Sequence, residues 1–234
     1  MSFMRLSYER QARAVQTIRR AFAVTFACAA LALVAAVRAA AADEAPIRIV
    51  ALGDSLTAGF GLPAQAAFPA KLEAALRKKG FAVVVTNAGV SGDTASGGLA
   101  RLDWSVPEGT DAVILELGAN DALRGVPPEV TRTALGSILD RLRKRGIAVL
   151  LAGMRAPPNM GPAFVEAFDA IYPALAAEHD VVFYPFFLDG VAAERGLNQP
   201  DGLHPTAAGV DRIVEGILPK AEELIARVKA KRGS

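Results

Sequence analysis

Five short apolar runs, Ile47–Leu52, Ala82–Thr86, Ala112–Leu117, Ile147–Leu151 and Val181–Phe183, narrow the architectures open to this chain. Each holds β-branched residues and is apolar on both faces, interrupted only by Arg48 in the first run, Thr86 at the end of the second and Glu116 in the third. An alternating strand has one wet face, whereas a continuously apolar one is buried on both, as in a parallel sheet with helices above and below. The intervening spans supply the helices. Phe68 to Lys79, Pro128 to Arg145 and Phe164 to Glu178 read as helical, with Gly80 and Gly146 as C-terminal stops. A last helix is expected after Pro205, and Pro219 should interrupt or restart it, because proline lacks the amide donor and crowds the preceding turn. The expected fold is a doubly wound α/β domain with about five parallel strands and helices on both faces. No internal repeat of solenoid or propeller spacing is present.

At 234 residues, 52% of them apolar, the chain can bury one sizeable core and is too short for two ordinary ones. Its net charge of +2 hides an asymmetry: residues 1–42 hold six Arg and one Glu, leaving 20 Lys plus Arg against 23 Asp plus Glu beyond them. The remainder is acidic, so no nucleic-acid partner is expected. Residues 1–42 read as an export signal. Arginines ending at Arg19 and Arg20 precede the uncharged run Ala21–Val37, and Ala39–Ala42 offers small-residue cleavage sites. Cleavage there leaves a domain of residues 43–234, periplasmic or secreted, with no stable membrane insertion. The competing reading is an uncleaved anchor, since 17 uncharged residues lie at the lower limit for spanning a bilayer. Arg19-Arg20-Ala21-Phe22 also hints at twin-arginine export. Cys28, the single cysteine, falls inside the apolar run, so the mature domain has no disulfide framework or thiol chemistry.

Ligands of such sheets sit beyond the carboxyl ends of the strands. There the sequence places Gly53-Asp54-Ser55, then Asn87 and Gly89–Gly92, then Gly118-Ala119-Asn120-Asp121. Far downstream, Asp201 stands three residues before His204 in DGLHP. A serine, a histidine and an aspartate are the parts of a nucleophilic hydrolase: the imidazole takes the hydroxyl proton and the carboxylate holds the imidazole's tautomer. The only other histidine, His179, lies beside Asp180 and reads as a solvated surface residue. Asp54 adjoins Ser55 too closely to orient His204 and is given no catalytic role.

The GDSL string at Ser55, SGDT at Gly92, GAND at Asn120 and DGLH at Asp201 and His204 resemble, in order and spacing, the four blocks of the SGNH (GDSL) hydrolase family. GLARL, ELGANDALRG, AFDAIYPALA and VVFYPFFLDGV are similar to its bacterial arylesterase, thioesterase I and lysophospholipase subgroup. The resemblance implies a flavodoxin-like three-layer fold and a serine esterase. It also implies a catalytic set of Ser55, Asp201 and His204, and an oxyanion hole from the amides of Ser55 and Gly92 with the side chain of Asn120. Gly89 rivals Gly92 for that place. Ala119 stands where the subgroup often has a second glycine and is expected to tighten the loop before Asn120. Ala122–Gly125 and Arg155–Gly161 are placed to line an acyl groove, with Leu123, Arg124 and Pro158 as candidate substrate contacts.

Other chemistries find little support. Two histidines 25 residues apart and no H-E-x-x-H leave no zinc site, and neither a phosphate-binding G-x-x-x-x-G-K-[ST] loop nor a G-x-S-x-G elbow is present. No cofactor or metal is expected. Glu116, inside an apolar strand, is expected to be buried against a partner such as Arg124 or to face the sheet rim. The expected substrate is a small acyl ester, thioester or lysophospholipid. An acyltransferase using the same acyl-Ser55 and a noncatalytic lipid- or glycan-binding module are the alternatives.

Overall fold

All five apolar runs form strands: β1 Ile47–Gly53, β2 Val83–Gly89, β3 Ala112–Glu116, β4 Ala148–Ala152 and β5 Val182–Tyr184. The computed structural model describes residues 45–233. The expected export segment, residues 1–42 with Arg19, Arg20 and Cys28, lies outside the described residues. The strands pair in parallel in the order β2-β1-β3-β4-β5, the flavodoxin-like arrangement. Central β3 is buried at every position and β1 at all but Arg48, as continuous apolar strands require. Edge strand β2 departs from this rule. Val83 and Val85 are buried whereas Val84 faces solvent, because only one face of the edge is covered.

Nine α-helices complete the described residues: α1 Ser55–Ala58, α2 Phe68–Lys78, α3 Ala95–Ala100, α4 Leu102–Ser105, α5 Ala119–Leu123, α6 Pro128–Lys144, α7 Pro162–Asp169, α8 Ile171–His179 and α9 Ala207–Arg232. Helices α2 and α9 pack together on one side of the sheet, and α6 and α8 on the other. Phe68 of α2 meets Phe187 edge to face at 4.9 Å, closing the core beyond β5.

Two helical expectations need correction. The span Phe164–Glu178 is two helices, α7 and α8, parted at Ala170. Pro173 explains the break: it has no amide to continue a helix through Asp169, yet is tolerated in the first turn of a new one. Conversely, Pro219 does not interrupt α9, which runs for 26 residues through it. Ile213, Val214 and Ile217 before it and Ala221, Leu224, Ile225 and Val228 after it are all buried on the same helix, while Pro219 is exposed. Packing on both sides holds the axis, and the carbonyl deprived of its partner lies on the wet face.

The chain leaves β1 toward β2 and returns across the sheet to β3, so the crevice beyond the carboxyl ends of β1 and β3 is the switch point where ligands of this topology bind. Ser55 follows β1 and Asn120 follows β3.

Candidate active site

After Gly53 the backbone turns sharply from strand to helix. Asp54 caps the single-turn α1 by accepting the Leu56 amide at Oδ1, 3.0 Å away, which puts Ser55 at the first helical position, half-buried. The base arrives from 149 residues downstream. His204 Nε2 lies 2.9 Å from Ser55 Oγ and His204 Nδ1 2.7 Å from Asp201 Oδ2. Nδ1–H donating to Asp201 leaves Nε2 free to accept from the serine hydroxyl. The other Asp201 oxygen accepts the amides of Leu203 and His204 at 2.9 and 3.0 Å. Those backbone and imidazole donors, the His204 amide foremost, hold the Asp201 carboxyl down at about 2, so it is ionised at neutral pH. The three residues expected from sequence therefore meet within hydrogen-bond reach.

The two candidate glycines separate cleanly. A Cβ on Gly89 would sit 2.3 Å from the Ala58 amide nitrogen, so that glycine lets α1 pack on β2, and its own amide is spent on Asn87 Oδ1 at 2.9 Å. Gly92 adopts φ +84°, a conformation that favours glycine, and its amide meets no acceptor among the described residues. The Ser55 amide is likewise unspent among them. Asn120 is different: its Nδ2 donates to the Asp93 carbonyl at 3.0 Å and to Asp54 Oδ2 at 3.1 Å. Both amide protons thus have acceptors at rest, so the expected oxyanion role of Asn120 requires that one of them be shared. Ala119 opens helix α5, so it tightens the approach to Asn120 by making it helical.

Behind the serine lies a buried polar cluster. Glu116 and Asp54 are both fully buried. The expectation that Glu116 pairs with Arg124 is wrong: its Oε2 accepts the Thr57 hydroxyl at 2.7 Å and the Asp54 amide at 3.4 Å, while Oε1 has no partner among the described residues. Arg124 instead donates to the Gly92 carbonyl at 2.9 Å. Burial, reinforced by the Asp54 charge, pushes the Glu116 carboxyl well above its ordinary range. Burial also lifts Asp54 to about 6, against the pull of the Leu56 amide and the Asn120 side chain.

Sequence reasoning missed three supporting residues. Arg101, buried between α3 and α4, pairs with Asp93 at 2.5 Å and donates to the carbonyls of Gly53 and Ala88, both at 2.8 Å. It ties together the loops that carry Ser55 and Gly92, and its partner Asp93 offers its carbonyl to Asn120. The GLARL string held the signal, one arginine in an apolar helical span. Gln199 bolts the histidine loop to the serine loop, donating to the Phe60 carbonyl at 2.7 Å and the Pro205 carbonyl at 3.0 Å. Phe60 packs its ring 4.5 Å from the His204 imidazole. Neither of these had a local sequence signal.

A cavity of about 480 Å³ opens from Ser55, Asn120 and His204. Leu123 and Pro158 line it as expected, with Met154, Arg155, Phe186 and Leu188; Arg124 and Gly92 do not. Arg124 serves the loop behind. His179 is also corrected: its side chain is 6% exposed, not solvated, with Nδ1 3.7 Å from Asp140. It lines a separate small cavity with Arg143 and Arg227, and no cluster of metal-ligating residues exists among the described residues.

Comparison with known proteins agrees with this geometry. The model of the GDSL-like Lipase/Acylhydrolase family matches residues 51–212. Esterase TesA of Pseudomonas aeruginosa is 40% identical over 196 residues, covering 83% of this chain and 96% of that protein. Thioesterase 1/protease 1/lysophospholipase L1 of Escherichia coli is 40% identical over 189 residues, covering 80% and 88%. Among solved structures, AlinE4, an SGNH-hydrolase family esterase, is 45% identical with a TM-score of 0.65, covering 77% of this chain and 96% of that one. TesA has a TM-score of 0.72 at 40% identity, covering 76% and 99%. With the matched segment running from β1 through the Asp201–His204 loop into α9, the chain belongs to the GDSL-like lipase/acylhydrolase family.

Proposed function

We propose that this protein is a serine esterase that hydrolyses carboxylic ester or thioester bonds of acyl substrates through an acyl-Ser55 intermediate. The observation that carries the reading is the unbroken relay from Ser55 Oγ to His204 Nε2 at 2.9 Å and from His204 Nδ1 to Asp201 at 2.7 Å. Ser55 Oγ attacks the acyl carbon as its proton passes to Nε2, and ionised Asp201 stabilises the imidazolium. The amides of Ser55 and Gly92 and the side chain of Asn120 receive the developing oxyanion. Collapse expels the alcohol or thiol, protonated by His204. Water then gives a proton to the same Nε2, attacks the acyl-serine and releases the acid. The relatives' names, esterase, arylesterase and thioesterase/lysophospholipase, support this range of leaving groups.

Residues 1–42 act as a cleaved export signal in this reading, leaving the esterase domain from about Asp43 in the periplasm or medium. The charge and alanine pattern supports it, and no described helix is long and apolar enough to cross a membrane. N-terminal sequencing of the exported protein tests it: a start near Asp43 is expected, and an intact Met1 in the membrane fraction would overturn it.

The activity is tested by hydrolysis of p-nitrophenyl esters from acetate to palmitate, with Ser55→Ala alongside. Turnover lost in the variant, with an acyl adduct on Ser55 trapped in the wild type, is expected. Wild-type turnover that survives Ser55→Ala would overturn the reading.

A further inference from the structure

The cavity beside Ser55 has an unusual charge content. Among its lining residues Arg155 is the one arginine or lysine, and no aspartate or glutamate lines it; the walls are otherwise Leu, Met, Ala, Pro and Phe with a few polar groups. Arg155 is exposed, and its guanidinium carbon lies 5.0 Å from the centroid of the Phe186 ring. No carboxylate or carbonyl among the described residues accepts its N–H groups. Most other arginines of the domain are engaged: Arg101 with Asp93, Arg124 with Gly92, Arg145 with Val106, Arg227 with Asp180. A guanidinium held over an aromatic ring with no protein acceptor keeps its five donors available, and their fork matches the two oxygens of a carboxylate or phosphate.

The segment bearing Arg155 is held rather than loose. Beyond β4 and β5 the two chains stay paired, with the Gly153 amide donating to Tyr184 and the Phe187 amide to Gly153, each at 2.8 Å, which sets Arg155 beside Phe186. Asp169 Oδ1 accepts the Ala156 amide at 2.8 Å, and the fixed φ angles of Pro157 and Pro158 stiffen the backbone on the carboxyl side of Ala156. The backbone that carries Arg155 is therefore fixed, and its exposed guanidinium, with no protein anion paired to it among the described residues, stands at an apolar cavity that opens on the Ser55 hydroxyl, where an anion of a bound substrate would meet it.

We propose that Arg155 is an anion subsite of this cavity, a specificity-determining residue that favours acyl esters bearing a phosphate or carboxylate over neutral esters of the same chain length. The proposal rests on the esterase reading above. The anion could sit on the leaving alcohol or on the far end of the acyl chain, and both positions present the same oxygen pair to the guanidinium.

Two matched pairs test it with the wild type, Arg155→Gln and Arg155→Lys. Hexanoyl glycerophosphate against hexanoyl glycerol places the charge on the alcohol; the mono-p-nitrophenyl ester of adipic acid against p-nitrophenyl hexanoate places it on the acyl chain. Short chains keep every substrate monomeric. In Arg155→Gln the ratio of anionic to neutral kcat/KM should fall about tenfold or more in one pair, which identifies the end that carries the anion. Arg155→Lys should restore part of it, because a point charge survives without the fork. Raising the salt should erode the wild-type preference more than that of Arg155→Gln. An anionic-to-neutral ratio that is the same in wild type and Arg155→Gln for both pairs would overturn the proposal, including the case in which all four substrates lose rate together because Phe186 has lost its brace. Loss of every activity in Ser55→Ala is required for the esterase reading and leaves that ratio untouched, so the two failures are distinguishable.

Discussion

The two loops that meet at Ser55 are built in opposite ways. The serine side rests on buried polar groups: Asp54, Glu116 and Thr57 are 0% exposed, and Arg101 beneath them is 7% exposed. The histidine side stands in water, with the Asp201 side chain 39% exposed and the His204 side chain 19% exposed. Polar groups in the first region depend on fixed protein partners that must be in place at folding; those in the second are satisfied by short local turns and by solvent. Ser55 and the proposed oxyanion donors are thus held by the core, whereas His204, the proposed base, is held by a loop that can be adjusted from outside. Damage to the buried supports of the first region, such as Arg101, should therefore appear as lost stability, and damage to groups that face the cavity or to the second region as lost rate.

Arg101 offers the most severe test of that division. Arg101→Met strands Asp93 and two strand-end carbonyls in a largely dry site, and should cost about 3–5 kcal/mol in denaturant unfolding, the range for one partner removed from a buried pair. A loss below about 1 kcal/mol would show that water replaces the guanidinium there. Next is Asn120→Ala, expected to slow turnover on the order of 100-fold or more, about 2.7–4 kcal/mol of lost transition-state stabilisation, with the fold retained by circular dichroism. Unchanged turnover would mean that the Asp54 and Asp93 contacts keep Asn120 out of the oxyanion hole.

Gln199→Ala acts on the histidine side. Loss of its bonds to the Phe60 and Pro205 carbonyls should lower kcat about 3- to 10-fold and the melting temperature by only a few degrees, since net hydrogen-bond contributions of this kind are near 1 kcal/mol each. A fall in melting temperature with normal kcat would place that loop on the structural side. The smallest effect belongs to Glu116→Gln and shows in its pH dependence. A carboxyl raised by burial keeps its proton in the folded chain after the unfolded chain has released it near 4.5, so the wild type loses stability as pH rises above that value. The amide of the Glu116→Gln variant cannot ionise, so the stability gap should move in the variant's favour between about pH 5 and pH 8. Parallel curves over that window would mean that Glu116 is ionised in the folded protein.

The parallel sheet was legible because its signal is local: continuous runs such as Ala112–Leu117 need no tertiary information to be read as strands covered on both faces. Ser55, Asp201, His204 and Asn120 were legible because chemistry limits the residue types and because their motifs sit at strand ends or in the late DGLH turn. Pro219 misled because propensity is local while α9 is held by burial on both sides of the proline. Glu116 was correctly suspected of burial but assigned the wrong partner. Arg124 lies near it in sequence, whereas the hydroxyl it meets belongs to Thr57, 59 residues away.

Residue order alone therefore sufficed for the fold class, the family and the choice of candidate reacting groups. Tertiary structure was needed to establish that Gly92 and not Gly89 has an amide to spare, that Asn120 rests on two acceptors, that Arg101 and Gln199 clamp the loops from behind and from outside, and that Arg155 stands uncompensated beside Phe186. The decisive contacts join residues far apart in the chain, such as Asn120 with Asp54 or Gln199 with Phe60. Which of them meet is set by the surfaces the sheet order brings together, and no short window of sequence contains both partners of such a pair.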